Sequence, residues 1–306
     1  MRFVSLPSDL ADAVGPIDGV EILTWDMQES PPRDDIELVM IPSHRAPWIK
    51  RLDELPALKA VQIGSAGHDS AVKYIPAGVT LSNAVGVHDT ATAELALTLM
   101  LASQRGIPEF VRAGDCGQWL APNQYRSVAD ARVVIVGYGG IGRALAARLK
   151  AAEADVVAVA SRPRAGDDLV DQVHGVSDLR GLVADADVLA LAVPLTKATR
   201  HLVDADLMAA LPDGALIVNV GRGGLVDTEA LLPQLQAGRL RLAADVTAPE
   251  PLPEGHSLWS APGVLISPHV GSDTPALAPR MLRFVRSQLT AFGQYGELPH
   301  TVAVGV

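Results

Sequence analysis

Cysteine is nearly missing from this chain: Cys116 is the only one in 306 residues. That excludes an internal disulfide and any all-cysteine metal cage. Aromatic residues amount to 4%, so the core must be aliphatic and there is little material for base-stacking platforms. No basic run occurs, and 25 Lys and Arg stand against 35 Asp and Glu, a net charge of −10. Neither nucleic acid nor an anionic membrane surface is therefore an expected partner. Charged or turn residues break every apolar run well before the roughly 18 residues needed to cross a bilayer. Residues 1–10 (MRFVSLPSDL) lack the apolar core and cleavage site of a secretory signal, so a soluble, cytoplasmic protein is expected. The eight histidines show no HExxH or similar spacing, and no metal is expected. The absence of a G-x-S-x-G elbow, and of any motif around Cys116, speaks against acyl transfer.

Short β-rich runs alternate with Ala/Leu-rich stretches of helical period throughout, the pattern of parallel sheets covered by helices on both faces. The expected class is α/β with two doubly wound domains. Strands are predicted at Phe3–Leu6, Val20–Trp25, Leu38–Ile41, Val61–Gly64 and Val79–Ser82, with segments such as Trp48–Leu58 supplying helices. A long apolar helix follows over Thr90–Gln104. A second series of six strands is predicted at Val133–Val136, Val156–Ala160, Val188–Ala192, Ala215–Asn219, Leu240–Asp245 and Val264–Ser267, enough for a full dinucleotide-binding sheet. The helix Met281–Phe292 is expected to return to the first domain. The resulting division is 1–98 for a flavodoxin-like substrate domain, 99–273 for an inserted Rossmann domain, and 274–306 for the return.

In ARVVIVGYGGIGRALAARL, Gly137, Gly139 and Gly142 stand in G-x-G-x-x-G spacing between an apolar strand and an Ala-rich helix. Gly137 permits a tight turn, Gly139 clears the approach of a pyrophosphate, and Gly142 lets helix and strand pack closely. Phosphates would meet the unpaired N–H groups of Gly140, Ile141 and Gly142 at the helix N-terminus. After the next strand, where an acid usually holds the ribose 2′-hydroxyl of NAD, the chain reads Ser161-Arg162-Pro163-Arg164. A hydroxyl and two fixed cations suit a 2′-phosphate, so NADP(H) is expected over NAD(H), which stays possible if the arginines are merely solvated. Asp167 and Asp168 follow closely and could weaken such a site.

Arg222 in NVGRGGLVD, Glu250 in DVTAPEPLP and His269 in LISPHVGS each follow a predicted strand. They thus reach the carboxyl edge of the same sheet as the glycine loop, where open α/β folds bind ligands. Together with GYGGIG and VPLTKATRHLVD, these motifs resemble the D-isomer-specific 2-hydroxyacid dehydrogenase family, in its NADP-type, glyoxylate/hydroxypyruvate-reductase-like form. The likeness is specific over about Asn83–Ser272 and weak before Leu38 and after Arg280. It implies that Arg222, Glu250 and His269 form the catalytic trio, that Asp245 binds the nicotinamide carboxamide, and that Val193, Pro194, Thr199, Val220 and His269–Ser272, including Gly271 and Ser272, line the cofactor cleft. It further implies that Ser65, Ala66 and Gly67 present backbone N–H groups to the substrate carboxylate, with Arg222 and His269 also contacting the substrate. His44, His68 and His88 are expected in ordinary polar roles, with His88 and Trp48 kept as candidate pocket contacts. The family usually carries Asp at the Ser161 position, and its formate-oxidising members carry Gln where Glu250 stands.

The chemistry of those roles follows from the residue types. Hydride addition to a 2-oxo acid leaves negative charge on the carbonyl oxygen, which needs electrostatic support and a proton. The planar, always-charged Arg222 suits the first task and His269 the second, with the Glu250 carboxylate favouring the imidazolium and orienting its ring. The expected activity is NAD(P)-dependent interconversion of a small 2-oxo acid and a D-2-hydroxy acid by a homodimer, whose surface would use Thr90–Gln104 and Gly106–Leu120. The alternative from another class is a dinucleotide-sensing scaffold without turnover, which the absence of a disordered recruiting tail disfavours.

Overall fold

The computed structural model describes residues 1–41, 47–68 and 70–302, without the side chains of Pro47 and Trp48. The backbone forms two compact units, Met1–His88 with Thr274–Val306, and Asp89–Asp273. The first begins with β1 (Arg2–Leu6), α1 (Ser8–Val14), β2 (Val20–Thr24), β3 (Leu38–Ile41), β4 (Ala60–Ile63) and β5 (Thr80–Ser82). All pairings are parallel and the order is β2-β1-β3-β4-β5, a flavodoxin-like sheet. The stretch expected to supply a helix near Trp48 forms 3-10 turns over Pro47–Glu54.

The second unit opens with α2 (Asp89–Gln104) and α3 (Ile107–Asp115), which precede β6 (Arg132–Val136), α4 (Gly140–Ala151) and β7 (Asp155–Ala160). Then come β8 (Arg164–Ala165), β9 (Gln172–Gly175), α5 (Leu179–Leu182), β10 (Val188–Leu191), α6 (Ala205–Ala210), β11 (Ala215–Asn219), α7 (Thr228–Gln236), β12 (Leu240–Ala244) and β13 (Val264–Ile266). The unit break at His88/Asp89 precedes α2, which packs against α4 along its length.

The strand order is β13-β12-β11-β10-β6-β7-β9-β8, which corrects the expectation of six strands. The third strand of the first mononucleotide half is β9, and β8 joins it antiparallel. The sequence of β9, QVHG, is too short and too polar to stand out by periodicity.

Alternation along the buried strands divides the larger sheet's side chains between two cores. Val133 and Ile135 pack with α2 and α4 through Met100, Leu145 and Leu149. Val134 and Val136 face the opposite side with Leu207, Leu231 and Leu235 of α6 and α7. In the smaller unit, Val4, Leu6, Leu38 and Met40 pack against α8 (Leu277–Tyr295) through Val285, Leu289 and Phe292. Among the described residues no helix is long and apolar enough to cross a membrane.

Phe292 is 0% exposed and is the largest fully buried side chain where α8 covers the smaller sheet. Phe292→Ala is expected to lower stability by about 3–5 kcal/mol, the usual cost of such a cavity. Urea unfolding of the variant beside the unaltered chain measures the difference.

Candidate active site

The turn after β6 is shaped by what its glycines exclude. Gly137 has φ +105°, its N–H donates to the Val159 carbonyl at 2.8 Å, and a Cβ there would run into the Ala192 carbonyl. A Cβ on Gly142 would overlap the Gly137 carbonyl, and one on Gly140 would overlap the Asp89 carboxylate. Gly139 differs: a Cβ on it would meet nothing within 4 Å. It is the N-cap of α4 and supplies no side-chain cap. Gly137 and Gly142, which face backbone carbonyls, are therefore needed for packing, Gly140 for the fit of the Asp89 side chain, and Gly139 for open approach to a helix N-terminus, which fits a dinucleotide pyrophosphate.

Beyond β7, Ser161 and Arg162 are exposed and make no hydrogen bond or ion pair with the described residues. Arg164 is committed elsewhere, donating from Nη2 to the Tyr138 carbonyl at 2.8 Å, which ties β8 to the glycine turn. The Tyr138 hydroxyl donates to Asp167 Oδ1 at 2.9 Å and Arg143 Nε donates to Asp167 Oδ2 at 2.9 Å. Arg143 also pairs with Asp168. Both acids are thus matched by Arg143, at the start of α4. Burial and the neighbouring carboxylate push the Tyr138 hydroxyl up to about 12. The Leu169 N–H, joined by Arg143 and Tyr138, holds the Asp167 carboxyl down at about 2.

A depressed carboxyl stabilises the fold above its ordinary range near pH 4, and that contribution disappears as pH falls through about 2. Asp167→Asn is expected to abolish this part of the acid sensitivity. Unfolding curves between about pH 4 and pH 2 should show the unaltered chain losing more stability than the variant.

Three further strand ends lie side by side in the larger sheet. Arg222 follows β11; its Nη1 donates to the Gly221 carbonyl at 2.8 Å. Asn219, 2% exposed, clamps this turn by donating from Nδ2 to the Arg222 carbonyl at 2.9 Å and accepting the Gly221 N–H at 3.1 Å. A Cβ on Gly223 would overlap the Thr247 carbonyl, and one on Gly221 would come within 2.7 Å of the Val193 carbonyl, so the loops after β10, β11 and β12 touch. Val220 is buried, and Thr199 donates its hydroxyl to the Pro194 carbonyl at 2.7 Å.

Asp245 joins the last two strand ends. Its Oδ1 accepts the Ser267 hydroxyl at 2.6 Å and the Val270 N–H at 2.9 Å, and its Oδ2 accepts the Gly271 N–H at 2.9 Å. Its backbone carbonyl takes the His269 N–H at 2.8 Å. The segment His269–Ser272 therefore wraps around a buried carboxylate, with His269 at φ +56°. On the resulting turn, His269 Nδ1 lies 2.6 Å from Glu250 Oε1. The structure thus brings Glu250 and His269 together, with Arg222 on an adjacent strand end. The anchoring functions of Asn219, Asp245 and Ser267 escaped the sequence reading; polar residues closing otherwise apolar strands were the available signal.

In the smaller unit the Gly64–Gly67 loop follows β4. All four of its carbonyls are occupied: Gly64 by His88 Nε2 at 2.8 Å, Ser65 by the Ala84 N–H at 2.9 Å, Ala66 by Asn83 Nδ2 at 2.5 Å, and Gly67 by the Ser65 hydroxyl at 2.7 Å. The N–H groups of Ala66 and Gly67 make no hydrogen bond among the described residues. Such a loop offers donors to an anion. His88 is thus a scaffold for this loop, Nδ1 of His68 is buried without a partner, and His44 and the Trp48 side chain lie outside the described residues. Among the described residues no cluster of His, Cys, Asp and Glu could hold a metal ion.

A doubly wound sheet with a glycine-rich turn and an acid–imidazole pair at its carboxyl edge has the architecture of a nicotinamide-dependent dehydrogenase. Comparison with known proteins narrows the class. Residues 97–271 match the family D-isomer specific 2-hydroxyacid dehydrogenase, NAD binding domain. The chain is 32% identical over 256 residues to a glyoxylate reductase of Thermofilum pendens, covering 81% of this chain and 75% of that one. A D-isomer specific 2-hydroxyacid dehydrogenase of Xanthobacter autotrophicus, solved with NADPH and MES, superposes with TM-score 0.82 at 27% identity, over 99% of this chain and 98% of its own. An NADPH-dependent glyoxylate/hydroxypyruvate reductase of Sinorhizobium meliloti, solved with citrate, gives 0.80 at 26% identity, over 99% and 98%. The chain belongs to the D-isomer specific 2-hydroxyacid dehydrogenase family, a family of oxidoreductases.

Proposed function

We propose that this protein reduces small 2-oxo acids such as glyoxylate or hydroxypyruvate to D-2-hydroxy acids, and runs the reverse oxidation, with NADP(H) in preference to NAD(H). In this reading Asp89–Asp273 binds the dinucleotide, and Met1–His88 with Thr274–Val306 contributes the substrate carboxylate loop. The observation that carries it is the 2.6 Å contact between His269 and Glu250 at the same sheet edge as the glycine turn. The working form would be a cytoplasmic homodimer joined through α2 and α3, where Leu101, Ile107, Phe110 and Val111 are exposed.

The glycine turn, Val193, Pro194, Thr199, Val220 and Gly271–Ser272 would hold the dinucleotide, which when bound supplies or accepts the hydride. Ser161 and Arg162 would take its 2′-phosphate, with Arg164 supporting the turn through Tyr138. Ser65–Gly67 would receive the substrate carboxylate on backbone N–H groups, while Arg222 draws charge toward the carbonyl oxygen. With Glu250 on Nδ1, His269 keeps Nε2 for the substrate: it gives a proton to the carbonyl oxygen in reduction and takes the hydroxyl proton in oxidation. Asp245 would act mainly by holding the His269 turn, a different emphasis from the carboxamide contact implied by resemblance.

His269→Asn separates chemistry from folding, because Asn tolerates the left-handed backbone at this position. We expect kcat to fall by about 10²-fold or more while NADPH binding, followed by fluorescence titration, is unchanged. If the unaltered protein binds NADPH yet consumes none with any 2-oxo acid, a non-enzymatic dinucleotide sensor replaces this reading.

Arg162→Ala tests the cofactor preference. The Kd for NADPH should rise by about tenfold or more, the cost of one charge-assisted bond, with little change for NADH. Equal weakening of both cofactors would remove Arg162 from phosphate recognition.

A further inference from the structure

The smaller unit contains a pocket of about 570 Å³ whose wall includes Gly64, the residue that opens the proposed carboxylate loop. The rest of the wall is largely aliphatic, contributed by Leu10 of α1, Met40 of β3, and Leu277, Met281 and Leu282 of α8. Thr274 also lines it, and its hydroxyl is buried with no hydrogen-bond partner. Asp9, in the first turn of α1, adds a carboxylate to the wall. Neither hydrogen, the substituent on glyoxylate, nor a hydroxymethyl group would bury against this surface to any extent.

We infer that this pocket receives the side chain of the 2-oxo acid, and that among the small 2-oxo acids the enzyme reduces, those with a neutral aliphatic chain, straight or branched, bind better than those with hydrogen, hydroxymethyl or an acidic chain. The inference rests on the assignment of Ser65–Gly67 to the substrate carboxylate, because the side chain leaves the carbon next to that carboxylate. Each methylene moved from water to the aliphatic wall favours binding. A terminal carboxylate would lose hydration and meet Asp9, so a dicarboxylic 2-oxo acid is rejected by charge and not by length.

The test is the NADPH-dependent kcat/KM of the full chain across pyruvate, 2-oxobutanoate, 2-oxopentanoate and 2-oxo-4-methylpentanoate. All four are ketones, so intrinsic reactivity changes little along the series. We expect a rise of about fourfold per added methylene. The dicarboxylate 2-oxopentanedioate should fall about tenfold or more below 2-oxopentanoate, and Asp9→Asn should narrow that gap. Ala13 and Ala278 also line the pocket and are exposed on their helices, so Ala13→Trp fills it without disturbing the core. That variant should flatten the series and leave pyruvate unchanged, with Ala278→Trp as the second variant if the first folds poorly. A flat or falling series in the unaltered enzyme overturns the inference, as does a slope that survives both filled pockets. Failure to reduce any 2-oxo acid would instead overturn the function on which the inference rests.

Discussion

One buried carboxylate determines whether an imidazole stands at the edge of the larger sheet. Asp245 is 3% exposed, and its side chain accepts the Ser267 hydroxyl and the N–H groups of Val270 and Gly271. Hydrogen bonds to an ionised group contribute about 1.5–3 kcal/mol each, and a buried charge without them would be strongly disfavoured. The turn is therefore held against the cost of a histidine at φ +56°. Asp245 N–H in turn donates to the Asn219 carbonyl at 2.9 Å, and the Asn219 side chain clamps the Arg222 turn. The geometry of Arg222 and His269 is thus transmitted through backbone and amide contacts between adjacent strand ends, with Glu250 fixing the ring that results.

Each unit presents backbone donors, at a helix N-terminus in the larger and in a loop in the smaller. In a chain with a net charge of −10, the open N-terminus of α4 beside Gly139 and the inward-turned carbonyls of Gly64–Gly67 make two local regions suited to anions. The fixed cations nearby are sparingly placed. Arg143 is matched by Asp167 and Asp168, and Arg164 by the Tyr138 carbonyl, whereas Arg162 has no partner among the described residues.

The parts of this arrangement that were legible in the sequence are those dictated by close packing. Apolar alternation located β6, β10 and β11 almost to the residue, and the spacing of Gly137, Gly139 and Gly142 announced a turn in which two positions have no room for a Cβ. Strand ends also place Arg222, Glu250 and His269 at one edge of the sheet. What was not legible depends on side-chain direction or on very short pairing. The strand β9 carries QVHG, and β8 has two residues, so neither produces a period. Likewise Arg164 reads as a free charge in a Ser-Arg-Pro-Arg loop, and only the hairpin that turns it onto Tyr138 reveals its structural duty. The aliphatic pocket beside Gly64 is assembled from α1, β3 and α8, segments some 240 residues apart in sequence from Met40 to Met281.

The hairpin of β8 and β9 has a consequence at the periphery of the larger sheet. An extended parallel sheet normally ends in a row of open hydrogen-bonding groups able to recruit a strand from another molecule. Here one edge ends in the two-residue β8, running antiparallel, and the other in the three-residue β13. Neither is long enough to template edge-to-edge association, so the short strand that anchors the glycine turn also protects the protein against aggregation through its sheet.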